Sequence, residues 1–526
     1  MFRRWSIAVL LAACLACTAQ AEEETRFDIL EFEVSGNTVL ATTVVEQAVL
    51  PFMGEQRLLA DVEAARTALE KAYQDAGYLT VYVDVPEQRI SDGLVQLRVT
   101  EGRVERLRIT GSRYYDQGFL RERVHALSPG SVPDFNAMQR QLASVTRDER
   151  QLQPLLRPGL TPGTVEAELR VTDRLPLSAA VELNNGHAAG TSPLRAQATL
   201  RYDNLFQRDH GLALTLITAP QDVSQSKVFS LGYTAPLQEQ TSFAASLVLS
   251  DSTVEPLGAA TVIGKGTTLG LRWARTAATA QSLHTLTAGF DYKDFRERVE
   301  AGSSVLSTPL RYAPLSAAYN GNWSGEQLQA TLASTFTVGL RNLLARRVEC
   351  PGNIGEVDQF ACKREGADGS FATWRSDLRS SWRGFTLRLA GQLATQPLVS
   401  SEQYSIGGTG TVRGYYEAEA SGDMGLLASL EWRSANLAPK QEPEATGMPR
   451  LSQLTLVAFA DAARVQVIDP AAGQAARVPL AGAGLGLRLR AAPTFEADID
   501  LAWPLKATSA SPRNDRKLHV RLAAQF

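Results

Sequence analysis

The chain has 526 residues, with 53 Lys and Arg against 56 Asp and Glu, 44% hydrophobic and 21% charged residues, and a formal net charge of −3. That balance leaves no basic footprint of the kind nucleic-acid binding requires. Beyond residue 21 no apolar run reaches the ~18 residues of a membrane-spanning helix, which excludes a helical membrane protein. A membrane β-barrel stays open, because strands that alternate apolar and polar residues average to a neutral hydropathy such as the −0.13 of this chain.

Arg3 and Arg4 precede an apolar stretch over residues 5–15, and Ala19-Gln20-Ala21 is a small-x-small cleavage site. This predicts a secretory signal peptide over residues 1–21. Leu11-Ala12-Ala13-Cys14 also fits a lipobox, so a lipid-anchored start is the competing reading. Cys14 and Cys17 lie inside that segment, and Cys350 and Cys362 remain in a stretch of glycines and charges. In an exported protein such a pair points to a disulfide clipping one surface loop rather than to a metal site or a reactive thiol.

Residues 25–101 and 102–175 read as two copies of one β-α-α-β-β unit. Leu30, Phe32 and Val34 alternate with Glu31 and Glu33 before the turn Gly36-Asn37, and Leu107 and Ile109 alternate with Arg106 and Arg108 before Gly111-Ser112. Val62, Ala65, Leu69, Ala72, Tyr73 and Ala76 form the apolar stripe of a helix ended by Gly77. Met138, Leu142 and Val145 form the second stripe, with Asp134 placed to cap it. Two strands follow in each unit, residues 81–85 and 94–100 in the first, 152–156 and 165–172 in the second. Leu97-Arg98-Val99-Thr100 recurs as Leu169-Arg170-Val171-Thr172.

From residue 176 to 526 the pattern changes to period two. Arg195, Gln197, Thr199, Arg201 and Asp203 alternate with Ala196, Ala198, Leu200 and Tyr202, and Leu212, Leu214 and Leu216 with smaller residues. At the terminus Leu518, Val520, Leu522, Ala524 and Phe526 point one way, and Lys517, His519, Arg521 and Gln525 the other. A polar face opposite an apolar one, closed by a terminal aromatic, predicts a transmembrane antiparallel β-barrel with a wet lumen. A strand with its connection takes roughly 20–25 residues, so the span holds an even 14 or 16 strands, and 16 is the expectation.

A search for chemistry finds no constellation. The five histidines lack metal-ligand spacing, and there is no His-Glu-x-x-His or Gly-x-Ser-x-Gly. Residues 258–267 resemble a phosphate loop only faintly and read as a hairpin loop, while Glu417 and Glu419 read as solvated. No catalytic residue, metal or cofactor is expected.

Gly407-Gly408 and Val412-Arg413-Gly414-Tyr415, within a loop over residues 404–425, resemble the loop motif of two-partner secretion outer-membrane transporters. These form the TpsB family, which includes the filamentous haemagglutinin and haemolysin translocators. Asn184-Asn185-Gly186 with Asn204-Leu205-Phe206 resembles that family's first barrel hairpin, and the paired modules resemble its polypeptide-transport-associated (POTRA) domains. The resemblance implies that the loop folds back into the barrel. Arg413 would there meet an acidic residue of a Phe-x-Asp-x-Gly wall motif, which maps to Phe459-Ala460-Asp461-Ala462-Ala463 and names Asp461 as its partner. Ala463 departs from the usual glycine and puts the local backbone in question. With water nearby the pair is expected to act as a positioning latch, and reversing both charges to restore function in part.

The resemblance also implies an outer-membrane location in a Gram-negative bacterium with the modules in the periplasm. The partners would be a large, unfolded TpsA-type exoprotein, outer-membrane lipid, and the barrel-assembly machinery for insertion; no nucleic acid is expected. Candidate capture edges are the strands bearing Val81, Val83 and Val85, and Leu152 and Leu155, where Pro154 suits an edge. Residues 22–27 leave no room for the plug helix that some members carry, so closure is expected to rest on loops. A barrel-assembly insertase of the same superfamily and a diffusion porin are the alternative readings.

Overall fold

A computed structural model describes residues 26–526 except 91, 239, 258–259, 302–303, 345, 351–354, 440–449 and 493. The expected signal peptide and the lipobox lie outside the described residues. The chain divides into two compact units between Leu175 and Pro176.

The first unit contains two three-stranded sheets of the same topology. In the first, Glu31–Ser35 runs parallel to the central strand Leu94–Glu101, which pairs antiparallel with Val81–Asp84. In the second, Arg103–Thr110 runs parallel to Thr164–Asp173, which pairs antiparallel with Arg150–Pro158. The repeated Leu-Arg-Val-Thr lies in the central strand each time, and the two turn glycines meet it identically. Gly36 (φ +87°) and Gly111 (φ +83°) take a left-handed conformation, and a Cβ there would lie 2.2 and 2.3 Å from the carbonyl oxygens of Val99 and Val171. An acidic residue ends both central strands and receives backbone amides of the facing turn: Glu101 those of Thr38 and Val39, Asp173 those of Arg113 and Tyr114.

Helices Thr42–Val49 and Leu59–Asp75 cover the first sheet, and Val62, Ala65, Leu69 and Tyr73 are buried as the stripe requires. Leu30 departs from its expected inward place and is 61% exposed. The chain breaks between Phe27–Ile29 and Glu31–Ser35, and Leu30 turns its amide to the Gly93 carbonyl, so the period-two alternation restarts after it. In the second module Gln117–Arg123 and Phe135–Val145 do the covering. The Asp134 carboxylate accepts from the amides of Asn136 and Ala137 at 2.8 and 3.0 Å. Asp134→Ala should therefore destabilise this helix by ~1 kcal/mol, read as faster hydrogen exchange at those two amides and unchanged exchange in the strand Leu94–Glu101.

The second unit is a closed antiparallel barrel running from Leu177–Asn184 to Lys517–Gln525, with each strand paired to its neighbours in sequence. Segments Ser304–Tyr312 and Leu315–Ser324 pair with successive halves of Ser282–Ala301 and form one strand interrupted at Ala313-Pro314. Proline has no amide to donate there. Counted so, the barrel has 16 strands, as expected. Closure joins residues 521–525 to residues 184–180, and Phe526 and Ala179 exchange backbone hydrogen bonds at 2.8 and 3.0 Å. Arg521 bonds Glu182 across this seam at 2.8 Å.

The outward face carries large apolar side chains such as Leu200, Leu269, Trp273, Trp374, Leu389, Leu426 and Leu518. Exposure of that kind is destabilising in water and is what a hydrocarbon surround requires. Residues 260–267, expected as part of a loop, instead belong to the strand Ala260–Ala278 paired with Thr241–Leu257. Glycines suit its inner face, where no side chain is needed for packing.

Candidate functional site

The loop between strands Phe385–Ala394 and Met424–Arg433 turns inward and is tied to the inner wall. Its two arms pair as Tyr404–Ile406 with Ala420–Gly422, and the tip between them carries the Val-Arg-Gly-Tyr sequence. Gly407 and Gly408 have φ of +108° and +92°, a conformation that only glycine adopts without strain and that lets the chain reverse.

At the tip, Val412 and Tyr415 are fully buried with Ile406, Leu427, Ala463, Val465 and Leu480. The Tyr415 hydroxyl lies 2.9 and 2.8 Å from the carbonyl oxygens of Ala481 and Lys506. Between these anchors Arg413 points at the strand Arg450–Gln466. Its Nε and Nη2 donate to the two oxygens of Asp461 at 2.8 and 3.0 Å, and its backbone amide reaches the same carboxylate at 3.1 Å. The guanidinium stacks on the Phe459 ring, 3.4 Å from its centroid. Arg413 is 7% exposed and Asp461 3%. The expectation of a pair beside water is therefore corrected: removing Arg413 would leave the buried Asp461 charge without its cation, which costs about 3–5 kcal/mol.

Several groups at this site escaped the sequence reading. Glu431 accepts from Arg413 Nη1 at 2.9 Å, and Asp500 stands 3.7 Å from the same nitrogen. Ser429 donates to Asp461 at 2.6 Å, and His519 Nε2 accepts from the Gly414 amide at 3.0 Å. Arg488 bonds Asp500 at 2.7 Å and completes an alternating set of charges. Gly482, Gly484 and Gly486 face this set, and a Cβ on Gly482 would lie 2.1 Å from the Arg413 carbonyl oxygen. Their spacing of two within Ala481-Gly482-Ala483-Gly484-Leu485-Gly486 was a visible signal of a surface cleared for something to lie on.

Ala463 keeps regular pairing with Leu427 and Leu480, so the departure from glycine leaves the backbone undistorted. Glu417 and Glu419 are not the solvated pair expected: Glu417 receives Thr409, and Glu419 receives Tyr416, Ser511 and Thr508. A loop that folds inward brings its own backbone and hydroxyl donors to these carboxylates.

The other expected positions fall elsewhere. Val81–Asp84 and Arg150–Pro158 each pair on one side only, and so are sheet edges. Val81 and Val83 point into the module core, and only Tyr82 of that strand shows a large apolar face. Val85 lies past the end of the strand, before Pro86, which corrects its assignment to the edge. Leu152 packs toward the second core and Leu155 lies on the opposite face, half-buried. Cys350 and Cys362 are bonded, with Cα atoms 5.6 Å apart.

A 16-stranded barrel with a loop tied inside it, preceded by two small α+β modules, defines an outer-membrane β-barrel protein with N-terminal periplasmic modules. The chain belongs to the haemolysin secretion/activation protein family ShlB/FhaC/HecB, which matches residues 163–489, and residues 27–102 match the POTRA domain of ShlB type. It is 21% identical to the outer membrane transporter CdiB of Dickeya dadantii over 82% of this chain and 75% of that protein. It is likewise 21% identical to the heme/hemopexin transporter protein HuxB of Haemophilus influenzae, over 93% and 85% of the two chains. Its fold matches the solved structure of CdiB from Escherichia coli with a TM-score of 0.61 at 18% identity, over 97% of this chain and 92% of that one. The protein is a two-partner secretion translocator of the outer membrane, with periplasmic POTRA domains and a secreted TpsA-type exoprotein as its partner.

Proposed function

We propose that the inward loop is the gate of the translocation path and that Arg413, bound to Asp461, is its latch. The carrying observation is the bidentate bond between them, made at the loop tip and buried against Phe459. A planar guanidinium gripping a wall carboxylate selects one conformation from the many open to a long glycine-rich loop. Unlatching frees the loop without disturbing the strand ladder, because Asp461 stays paired with Ser429 and Gly482 across the backbone.

The exposed edges Val81–Asp84 and Arg150–Pro158 receive extended segments of the unfolded exoprotein. The free main-chain groups of an edge bond a strand with little regard to its sequence. Tyr82→Glu should lower capture of the exoprotein by the periplasmic modules about tenfold, measured by cross-linking before export, as a charge replaces the apolar face beside that edge. The residue roles, the lipid contacts of the outward face, insertion by the barrel-assembly machinery through the strand ending at Phe526, and transport without catalysis belong to the same reading. Folding of the partner outside supplies the drive. Deleting the protein should remove one large exoprotein from the medium and leave other outer-membrane barrels at their normal level. A general fall of barrel proteins would favour an insertase instead.

A further inference from the structure

The motif loop has a second point of attachment that none of the expected residues covers. Asp423, fully buried, stands where the loop returns to the barrel wall. Its carboxylate binds Arg364 through both Nη atoms, the second at 2.8 Å, and accepts from the Leu398 amide at 2.9 Å, the Ile468 amide at 2.7 Å and Gln403 Nε2 at 3.2 Å. Arg364 also donates to the carbonyl oxygens of Leu398 at 2.8 Å and Ile468 at 2.6 Å. One ion pair thus gathers the outgoing and returning arms of the motif loop, the loop after strand Arg450–Gln466, and the segment bearing Arg364. Burial works to raise the Asp423 carboxyl, and Arg364 with the two amides outweighs it and holds the group below the usual carboxylate range.

Arg364 is itself held in place. It follows the helix Gln359–Lys363, whose Cys362 is bonded to Cys350 and whose Phe360 packs with Tyr312, Phe371, Leu398 and Val399. Gln359 adds hydrogen bonds to the backbone of Arg311 and Leu344. Strand direction alternates from the periplasmic start of the barrel, so Arg364 and both ends of the motif loop lie at the cell-surface end.

We propose that Arg364, presented by the disulfide-clipped surface loop, is a second positioning residue for the motif loop, holding its stem through Asp423 as Arg413 holds its tip. Wide opening then needs both the tip pair and the stem pair to yield, besides the neutral bonds along the loop, and the disulfide sets how firmly the stem pair is presented. This rests on the reading of the loop as a gate.

The test is conductance of the purified full-length protein in planar lipid bilayers. Arg364→Ala should raise the frequency of wide openings about fivefold or more, as should Arg413→Ala, and the double variant should exceed either. Arg364→Lys should return the frequency toward that of the unaltered chain, because a single charge can still reach the carboxylate. Replacing both Cys350 and Cys362 with Ser should give an intermediate frequency. Phe360→Leu, which disturbs the same loop but leaves the ion pair, should change it little. If Arg364→Ala opens no more often than the unaltered chain while Arg413→Ala does, the second attachment is overturned. If neither does, the gate reading itself fails. Equal effects of Phe360→Leu and Arg364→Ala would reduce Arg364 to general loop packing and overturn its positioning role.

Discussion

Arg413→Ala is expected to cut export of the exoprotein at least about tenfold while the folded barrel accumulates in the outer membrane at its normal level. The measurement is exoprotein in the medium against heat-modifiable barrel in the membrane. The substitution removes both side-chain hydrogen bonds to Asp461, the bond to Glu431 and the stack on Phe459, so the loop tip loses its ionic attachment. It keeps neutral-donor bonds, from the backbone amides of residues 413 and 414 and from the Tyr415 hydroxyl. The substitution also leaves the buried Asp461 carboxylate without its cation, while Glu431 keeps Arg433 and Asp500 keeps Arg488, and this favours conformations in which water reaches Asp461. The barrel does not depend on these bonds, since its strands hold by their backbone ladder and lipid-facing side chains. Export at the unaltered level would overturn the latch.

Reversing both charges, with Arg413→Asp and Asp461→Arg, looks from the sequence like a route to partial rescue. The geometry now points the other way. Asp461 accepts from the Arg413 backbone amide, which can only donate and would be left without an acceptor by an arginine in its place. A carboxylate at position 413 would face Glu431 and Asp500. The double reversal should export as poorly as Arg413→Ala, so its failure carries no weight against direct contact.

Gly482→Val should reproduce the Arg413→Ala defect, again about tenfold or more in export with the barrel still folded. Its Cβ would lie 2.1 Å from the Arg413 carbonyl oxygen, and a backbone atom cannot swing aside as a side chain can. The loop tip must lift off the wall, which strains the Asp461 bonds without altering either charge. Gly232→Val is the matched control, because a Cβ at that strand position meets nothing within 4 Å. Export by that variant should stay at the unaltered level. Normal export by Gly482→Val would mean that the loop does not work from the position described.

Much of the fold was legible because it depends on local period. The repeated Leu-Arg-Val-Thr, the turn glycines and the helix stripes are each marked by their own short stretch of sequence, although the contact that requires Gly36 and Gly111 comes from Val99 and Val171, far along the chain. The barrel followed from alternation, since one lipid-facing and one lumen-facing set must alternate in any membrane strand. Leu30 shows the limit of that signal: the alternation ran unbroken through a point where the chain bends. Arg413 and Asp461 were legible only through a resemblance that spans both segments. Glu431, Asp500, Ser429 and His519 sit on three different strands, and nothing local marks a lumen charge that will meet a loop.

The sequence by itself determined two modules and a barrel, because hydropathy and period act residue by residue along the chain. Only the tertiary structure decided that the latch is buried rather than wet, that Glu419 is bonded rather than solvated, and that Arg364 and Asp423 meet. Those outcomes depend on which parts of a closed barrel wall face an inward loop. Closure joins residue 184 to residue 521, and no local pattern encodes a contact across that distance.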